Sequence, residues 1–118
     1  MSADHPIRIE PHRGRVRVHL GGRVVADTTR ALTLFEASYP AVQYVPREDV
    51  DMTLFARSTH HSHCPYKGDA SYYTIKAGDR TSANAAWTYE SPISAVAQIA
   101  GYLAFYRNRV DGIEETVT

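Results

Sequence analysis

Arg15-Val16-Arg17-Val18-His19-Leu20-Gly21-Gly22-Arg23-Val24-Val25-Ala26-Asp27 reads as a β-hairpin. Val16, Val18 and Leu20 alternate with Arg15, Arg17 and His19, the two-residue period of a strand that buries one face. Gly21-Gly22 supplies the positive φ angles that a tight two-residue hairpin turn demands. Arg23 to Asp27 is the return strand. The arginines fall on the solvent face, where they protect an edge from aggregation; anion binding is the competing use for them.

Outward from this hairpin the strand signals continue. Ala31 to Glu36 alternates, with Leu32 and Leu34 on one face and Thr33 and Phe35 on the other. Val42 to Val45 is another short strand. Pro46, followed by Glu48 and Asp49, suits the first turn of a helix, so the expectation is one helical turn over 46–51. Met52 to Arg57 is short, apolar and ambiguous. Asp69 to Ala77 and Arg80 to Glu90, rich in Tyr, Thr, Ile and Trp, form a second hairpin around Gly78-Asp79. Ser91-Pro92 looks like a helix cap and first turn, with Ile93, Val96, Ala97 and Ala100 at helical spacing and Gly101 as the stop. Tyr102 to Tyr106 favours a last strand over a continued helix. Seven or eight strands and one or two short helices make a mainly-β domain with antiparallel sheets.

The chain has 118 residues, the size of one domain. The expectation is a compact core over about 13–111 with loose ends. Thirteen Lys and Arg balance thirteen Asp and Glu, which argues against a dedicated nucleic-acid binder. The balance hides an asymmetry: six arginines against three acids in residues 1–30, and three acids without a base in the last eight. One cysteine, Cys64, excludes an intrachain disulfide and a zinc site built on several cysteines. The polar start, Met1 to Pro11, does not resemble a signal peptide, and no apolar run reaches the roughly 18 residues of a membrane span. A cytoplasmic protein with a reduced thiol is expected.

The least ordinary segment is His60-His61-Ser62-His63-Cys64-Pro65-Tyr66-Lys67-Gly68. Pro65 and Gly68 mark a turn, and the whole segment reads as a loop on a β scaffold, where sites tend to lie. Cys64 could act as a nucleophile if Lys67 or a protonated His63 lowered its pKa; packing under the loop is the plainer role. His60, His63 and Cys64 are metal-ligand types, yet no second ligand pair accompanies them, because His5, His12 and His19 are isolated. Lys67-Gly68 could present an ammonium and backbone amides to an anion, although the spacing is not that of a P-loop. Trp87 and Tyr89, two apart on a strand, share a face near Pro92. They either fill the core or wall a pocket, with Tyr66, Tyr72 and Tyr73 as further aromatic walls. Glu48, Asp49 and Asp69 are acid–base candidates only if folding brings them near Lys67.

Pro46-Arg47-Glu48-Asp49-Val50, Cys64-Pro65-Tyr66-Lys67-Gly68 with Ala70 and Tyr72-Tyr73, Trp87-Thr88-Tyr89 with Pro92, and the stretch 99–106 together resemble the domain of unknown function 427 family, sometimes labelled nucleotidyltransferase-like. The resemblance spans roughly Arg15 to Asp111. It implies a β-tent-like fold, two antiparallel sheets meeting at an angle, similar to zinc-ribbon-like relatives and to B-type methionine sulfoxide reductases. The two Cys-x-x-Cys pairs of such relatives have no counterpart here. Nucleotidyl transfer normally needs clustered carboxylates around Mg²⁺, and Glu48, Asp49 and Asp51 are explained equally well by a short acidic turn.

The function expected from sequence is a pocket for a small anionic ligand at the Cys-Pro-Tyr-Lys-Gly turn. Arg47, His63, Tyr66, Lys67, Gly68, Trp87 and Tyr89 would line it, and no resident metal is expected. Two alternatives stand beside it: a thiol-dependent enzyme using Cys64 with Lys67, and a non-catalytic interaction module, including a homodimer formed through an edge strand.

Overall fold

A computed structural model describes residues 5–118. The Arg-Val hairpin forms as the sequence predicts: β2 (Gly14–Leu20) turns through Gly21 and Gly22, both at positive φ, into β3 (Arg23–Thr28). Val16, Val18 and Leu20 are buried and the residues between them are not. A strand at the C-terminal end, β10 (Gly112–Val117), pairs antiparallel with β2 and gives a sheet of order β10-β2-β3. A strand at the N-terminal end, β1 (Ile7–Pro11), pairs with β4 (Leu32–Glu36), which pairs with β5 (Val42–Tyr44). Neither terminal strand matches the expected loose ends. In both, a partner strand supplies the ladder hydrogen bonds that a short polar sequence does not announce.

The third sheet holds the site residues. Its order is β6 (Phe55–Cys64), β7 (Gly68–Ala77), β8 (Arg80–Thr88), β9 (Leu103–Phe105), all antiparallel. The hairpin around Gly78-Asp79 and the last aromatic strand are where sequence puts them. The His-rich segment is not a loop: His60 to Cys64 continue β6, and only Pro65 to Lys67 turn. The class is mainly β with short helices, as expected; among the described residues the hydrogen-bonded sheets number three rather than two.

Among the described residues the short helices are four 3₁₀ segments, the first of them within the turn expected over 46–51. Arg47–Asp49 follows Pro46. Met52–Leu54 is capped by Asp51, which accepts from the Thr53 amide at 3.2 Å. Ser94–Ile99 is kinked at Val96 and carries no side-chain cap, so Ser91 is not the cap its sequence suggests. Six residues are too few to repay α-helix nucleation. Gly101, at φ +76°, ends the segment as expected, its amide donating to Tyr89 O. Arg107–Arg109 forms the last turn.

The third sheet packs on both faces. Tyr73, Ile75, Ala86 and Phe105 meet Val16, Val18, Leu20 and Val25 in one cluster. Tyr72 and Ala104 meet Leu34 and Tyr44 in the other, closed by Val96 and Ile99. A backbone bridge between Val45 and Leu103, two N–H···O bonds of 2.8 Å, ties the β1-β4-β5 sheet to β9.

Candidate functional site

Cross-strand partners in an antiparallel pair share a face, and alternation places the rest. Tyr72, Trp87 and Ala104 are partners across β7, β8 and β9; Cys64 is the partner of Gly68 and His63 of Asp69. Cys64, Tyr72, Trp87 and Tyr89 therefore sit on the face of the second cluster, where the thiol is half-buried. His63 lies on the other face, its Nδ1 2.7 Å from Asp69 Oδ1. Arg47 is also on that side and donates to Tyr73 Oη at 2.7 Å. The sequence-predicted site residues are thus divided between two faces of one sheet.

Lys67 is buried at the turn, and its ammonium donates to the Glu36 carboxylate. His5 Nε2 lies 2.5 Å from the other oxygen of Glu36, and the His5 ring stacks on Tyr66 at 3.6 Å. Burial raises the pKa of Glu36, but the hydrogen bonds from Lys67 and His5 outweigh it and hold the carboxyl below its ordinary value. Lys67 is therefore a structural cation that already has its anion. Neither expected activator of Cys64 is aimed at it, since Lys67 is bound to Glu36 and His63 to Asp69. Gly68, at φ +114°, lets the chain pass close to Pro92 and Ile93. Glu48 is exposed, and Asp49 accepts from Thr28 and Arg30. No carboxylate of the acidic turn is directed at Lys67.

A cavity of about 290 Å³ opens elsewhere, where the three sheets meet around the short strand β9. Val16, Val18 and Ile113 form its floor from the β10-β2-β3 sheet. Val42, Gln43 and Val45 line it from β5, with Tyr39 to Ala41 at the approach. Trp87, Phe105, Tyr106 and Arg107 close the remaining side. Trp87 is held in place by its own N–H, which donates to Tyr44 Oη at 3.2 Å, and by Tyr106 packed 4.6 Å from its ring. Arg109 stacks on Tyr106 at 4.7 Å. Burial, then the hydrogen bond to Tyr72, pushes the Tyr106 hydroxyl up to about 12, and burial also raises Tyr44. Both phenols are neutral at pH 7.

At the rim, Arg107 donates to Glu115, and Gln43 Nε2 reaches the other Glu115 oxygen at 3.4 Å. The lining contains no carboxylate, imidazole, thiol, ammonium or Ser/Thr hydroxyl. Its polar groups are the Tyr39 and Tyr106 phenols, the Gln43 amide and the Arg107 guanidinium, with the Glu115 carboxylate at the rim. Of the residues singled out in sequence only Trp87 lines this cavity. Tyr106 is read in sequence only as the end of the aromatic strand, and neither it nor Arg107 is marked there as wall or rim, because β9 and β5 are brought together by a contact 58 residues apart in the chain (Val45 to Leu103).

Among the described residues no group of three His, Cys, Asp or Glu side chains is arranged to hold a metal ion. No helix among them is long and apolar enough to cross a membrane.

Fold and cavity together define a small antiparallel-β protein with an apolar, aromatic-walled chamber between its sheets. The chain belongs to the family described as domain of unknown function (DUF427), whose sequence profile matches residues 8–116, nearly its whole length. A comparison with curated proteins gives no match.

Proposed function

We propose that the protein is a cytoplasmic binding module for a small, mainly apolar molecule carrying one acidic group, held in the three-sheet cavity. The observation that carries this reading is the lining itself: apolar and aromatic side chains around a chamber near the lower end of the usual ligand-pocket range of roughly 300–1,000 Å³. The rim supplies Arg107 and Gln43 for the ligand's acidic group, with Glu115 as the anion that it displaces. This moves the expected anion site from Lys67 to Arg107 and keeps the chemical class of ligand. Binding is the reading favoured by a lining that is mostly apolar and aromatic.

The fluorescent probe 1-anilinonaphthalene-8-sulfonate tests it, against N-phenyl-1-naphthylamine, which lacks the sulfonate. Trp87 is the single tryptophan and stands in the cavity wall, so bound probe quenches its emission by energy transfer. The expected result is saturable binding of both probes. Val42→Phe, which fills the chamber, is expected to weaken both about tenfold, or ~1.4 kcal/mol. Arg107→Gln is expected to weaken the sulfonate alone about fivefold, the scale of an exposed charge pair. Unsaturable binding, or saturable binding indifferent to Val42→Phe, would refute the cavity. Equal loss of both probes in Arg107→Gln would refute the acidic group.

A further inference from the structure

The continuation of β6 through the His-rich segment changes what those histidines can do. His61 is the partner of Ser71 and His63 of Asp69, so both imidazoles stand on the same side of the sheet while Cys64 alternates to the other. Both are exposed. The set His60, His63 and Cys64 suggested by spacing alone is thereby split, and the pair His61 and His63 replaces it. Residues two apart on a strand are separated by roughly 7 Å, within reach of one ion through two imidazoles.

Asp69 orients one of them. A carboxylate oxygen accepts, so in the neutral ring the 2.7 Å contact to His63 Nδ1 selects the tautomer with the proton there and the lone pair on Nε2. This is the carboxylate–histidine arrangement that supports a metal-bound imidazole. Arg57, earlier on the same strand, is matched by Glu90 through two 2.8 Å bonds, so its charge is offset.

Two imidazoles are half of a tetrahedral set, and no third ligand groups with them among the described residues. The missing half has a geometrical source. β6 is the outer strand of its sheet; its register with β7 is irregular between Arg57 and His61, and the run His61 to Cys64 beyond it is regular and without proline. Such an edge is a template for another strand. Antiparallel pairing of two β6 edges about a two-fold axis beside Ser62 sets His61 of each copy opposite His63 of the other, with all four imidazoles on one face. The contact is isologous and closes as a dimer.

We infer that His61 and His63 form half of a site for a borderline divalent metal ion of the zinc class, which a second copy of the chain completes across the β6 edge. The ligands are neutral nitrogens, which suit Zn²⁺ and not Mg²⁺ or Ca²⁺.

The test uses the untagged full chain and zinc chloride, with calorimetry for stoichiometry and sedimentation velocity for mass. The expected result is one zinc per two chains, a dimer that forms with zinc and reverts with EDTA, and no such response to magnesium. His61→Gln or His63→Gln is expected to lose the dimer and at least tenfold in zinc affinity. Asp69→Asn, which acts only through His63, is expected to weaken binding by roughly tenfold. Cys64→Ala is expected to change neither property. All four positions are at least partly exposed, and an unchanged thermal transition without metal confirms that each variant is folded. One zinc per chain on a monomer, no binding, or binding that survives both glutamine variants and vanishes with Cys64→Ala would each overturn the inference.

Discussion

Replacing Lys67 by alanine is expected to destabilise the fold by about 3 kcal/mol, the lower end of the cost of breaking a buried ion pair, since His5 still reaches the Glu36 carboxylate. The side chains of Lys67 and Glu36 are 10% and 15% exposed, so little solvent is available to take over from the missing partner. In thermal unfolding this corresponds to a drop of roughly 10–15 °C for a chain of this size. The pair also joins two parts of the molecule, the end of β4 and the turn between β6 and β7, and His5 binds the same carboxylate from the N-terminal side. The double variant Lys67→Met/Glu36→Gln, which removes both charges, is expected to recover most of the loss, because an apolar replacement of the whole pair is close to neutral.

The same pair gives a pH dependence of known sign. The folded-state pKa of Glu36 is depressed, so its stabilising contribution is complete above its unfolded value of about 4.3 and fades as pH falls through the folded value. The stability difference between the parent protein and Lys67→Ala should therefore be constant near neutrality and shrink below about pH 4. Urea unfolding at pH 7 and pH 3.5 measures it. A Lys67→Ala variant with unchanged stability and lost probe binding would return the ligand site to the turn.

The second large effect is expected at Gly21. Gly21 stands at φ +60°, and a Cβ there would lie 1.9 Å from the Ala77 carbonyl oxygen. Gly78, at the tip of the β7-β8 hairpin, faces Gly21 in return, its own Cβ position 2.4 Å from Gly21 O. Asp111 fastens both tips, accepting from the Gly21 amide at 2.8 Å and from Arg80 at 2.6 Å. The Gly21 amide, with Arg80, holds Asp111 below the usual carboxylate range. Gly21→Ala must push two hairpins apart and adopt a left-handed backbone as well, an expected loss of about 3 kcal/mol or more. Gly22, at φ +77° with nothing within 4 Å of its Cβ position, provides the contrast. Gly22→Asn should cost less than about 1 kcal/mol, since Asn tolerates positive φ and meets no neighbour. Equal losses at the two positions would mean that the contact between hairpin tips does not set the cost.

The hairpins were legible because their information is local: alternation in Val16, Val18 and Leu20, a Gly-Gly turn, and the Tyr-Thr-Ile run of β7. The first strand carries the same alternation in Ile7 and Ile9, but over only five residues, and the pairing of β1 with β4 and of β10 with β2 is a long-range event. Histidine has little strand preference, so His60 to Cys64 looked like a loop; the register with Ser71, Ala70, Asp69 and Gly68 makes it a strand. That single change separates His63 from Cys64. Lys67 was recognised as unusual from its setting, yet its role depends on Glu36, 31 residues away. Trp87, readable as core or as pocket wall, packs against the second cluster and also lines the cavity, while Val42, Tyr106 and Arg107 join it only through the β5-β9 contact, which no local pattern encodes.

Ligands are expected to enter the three-sheet cavity and not the Cys64–Gly68 turn. The most direct test is a ¹H–¹⁵N correlation spectrum recorded while 1-anilinonaphthalene-8-sulfonate is added to the labelled protein. The predicted result is saturable shifts of the single Trp87 indole N–H and of the Val42, Gln43, Tyr106 and Arg107 amides, with the Tyr66, Lys67 and Gly68 amides unmoved. Shifts centred on Tyr66 to Gly68, with the Trp87 indole still, would contradict it.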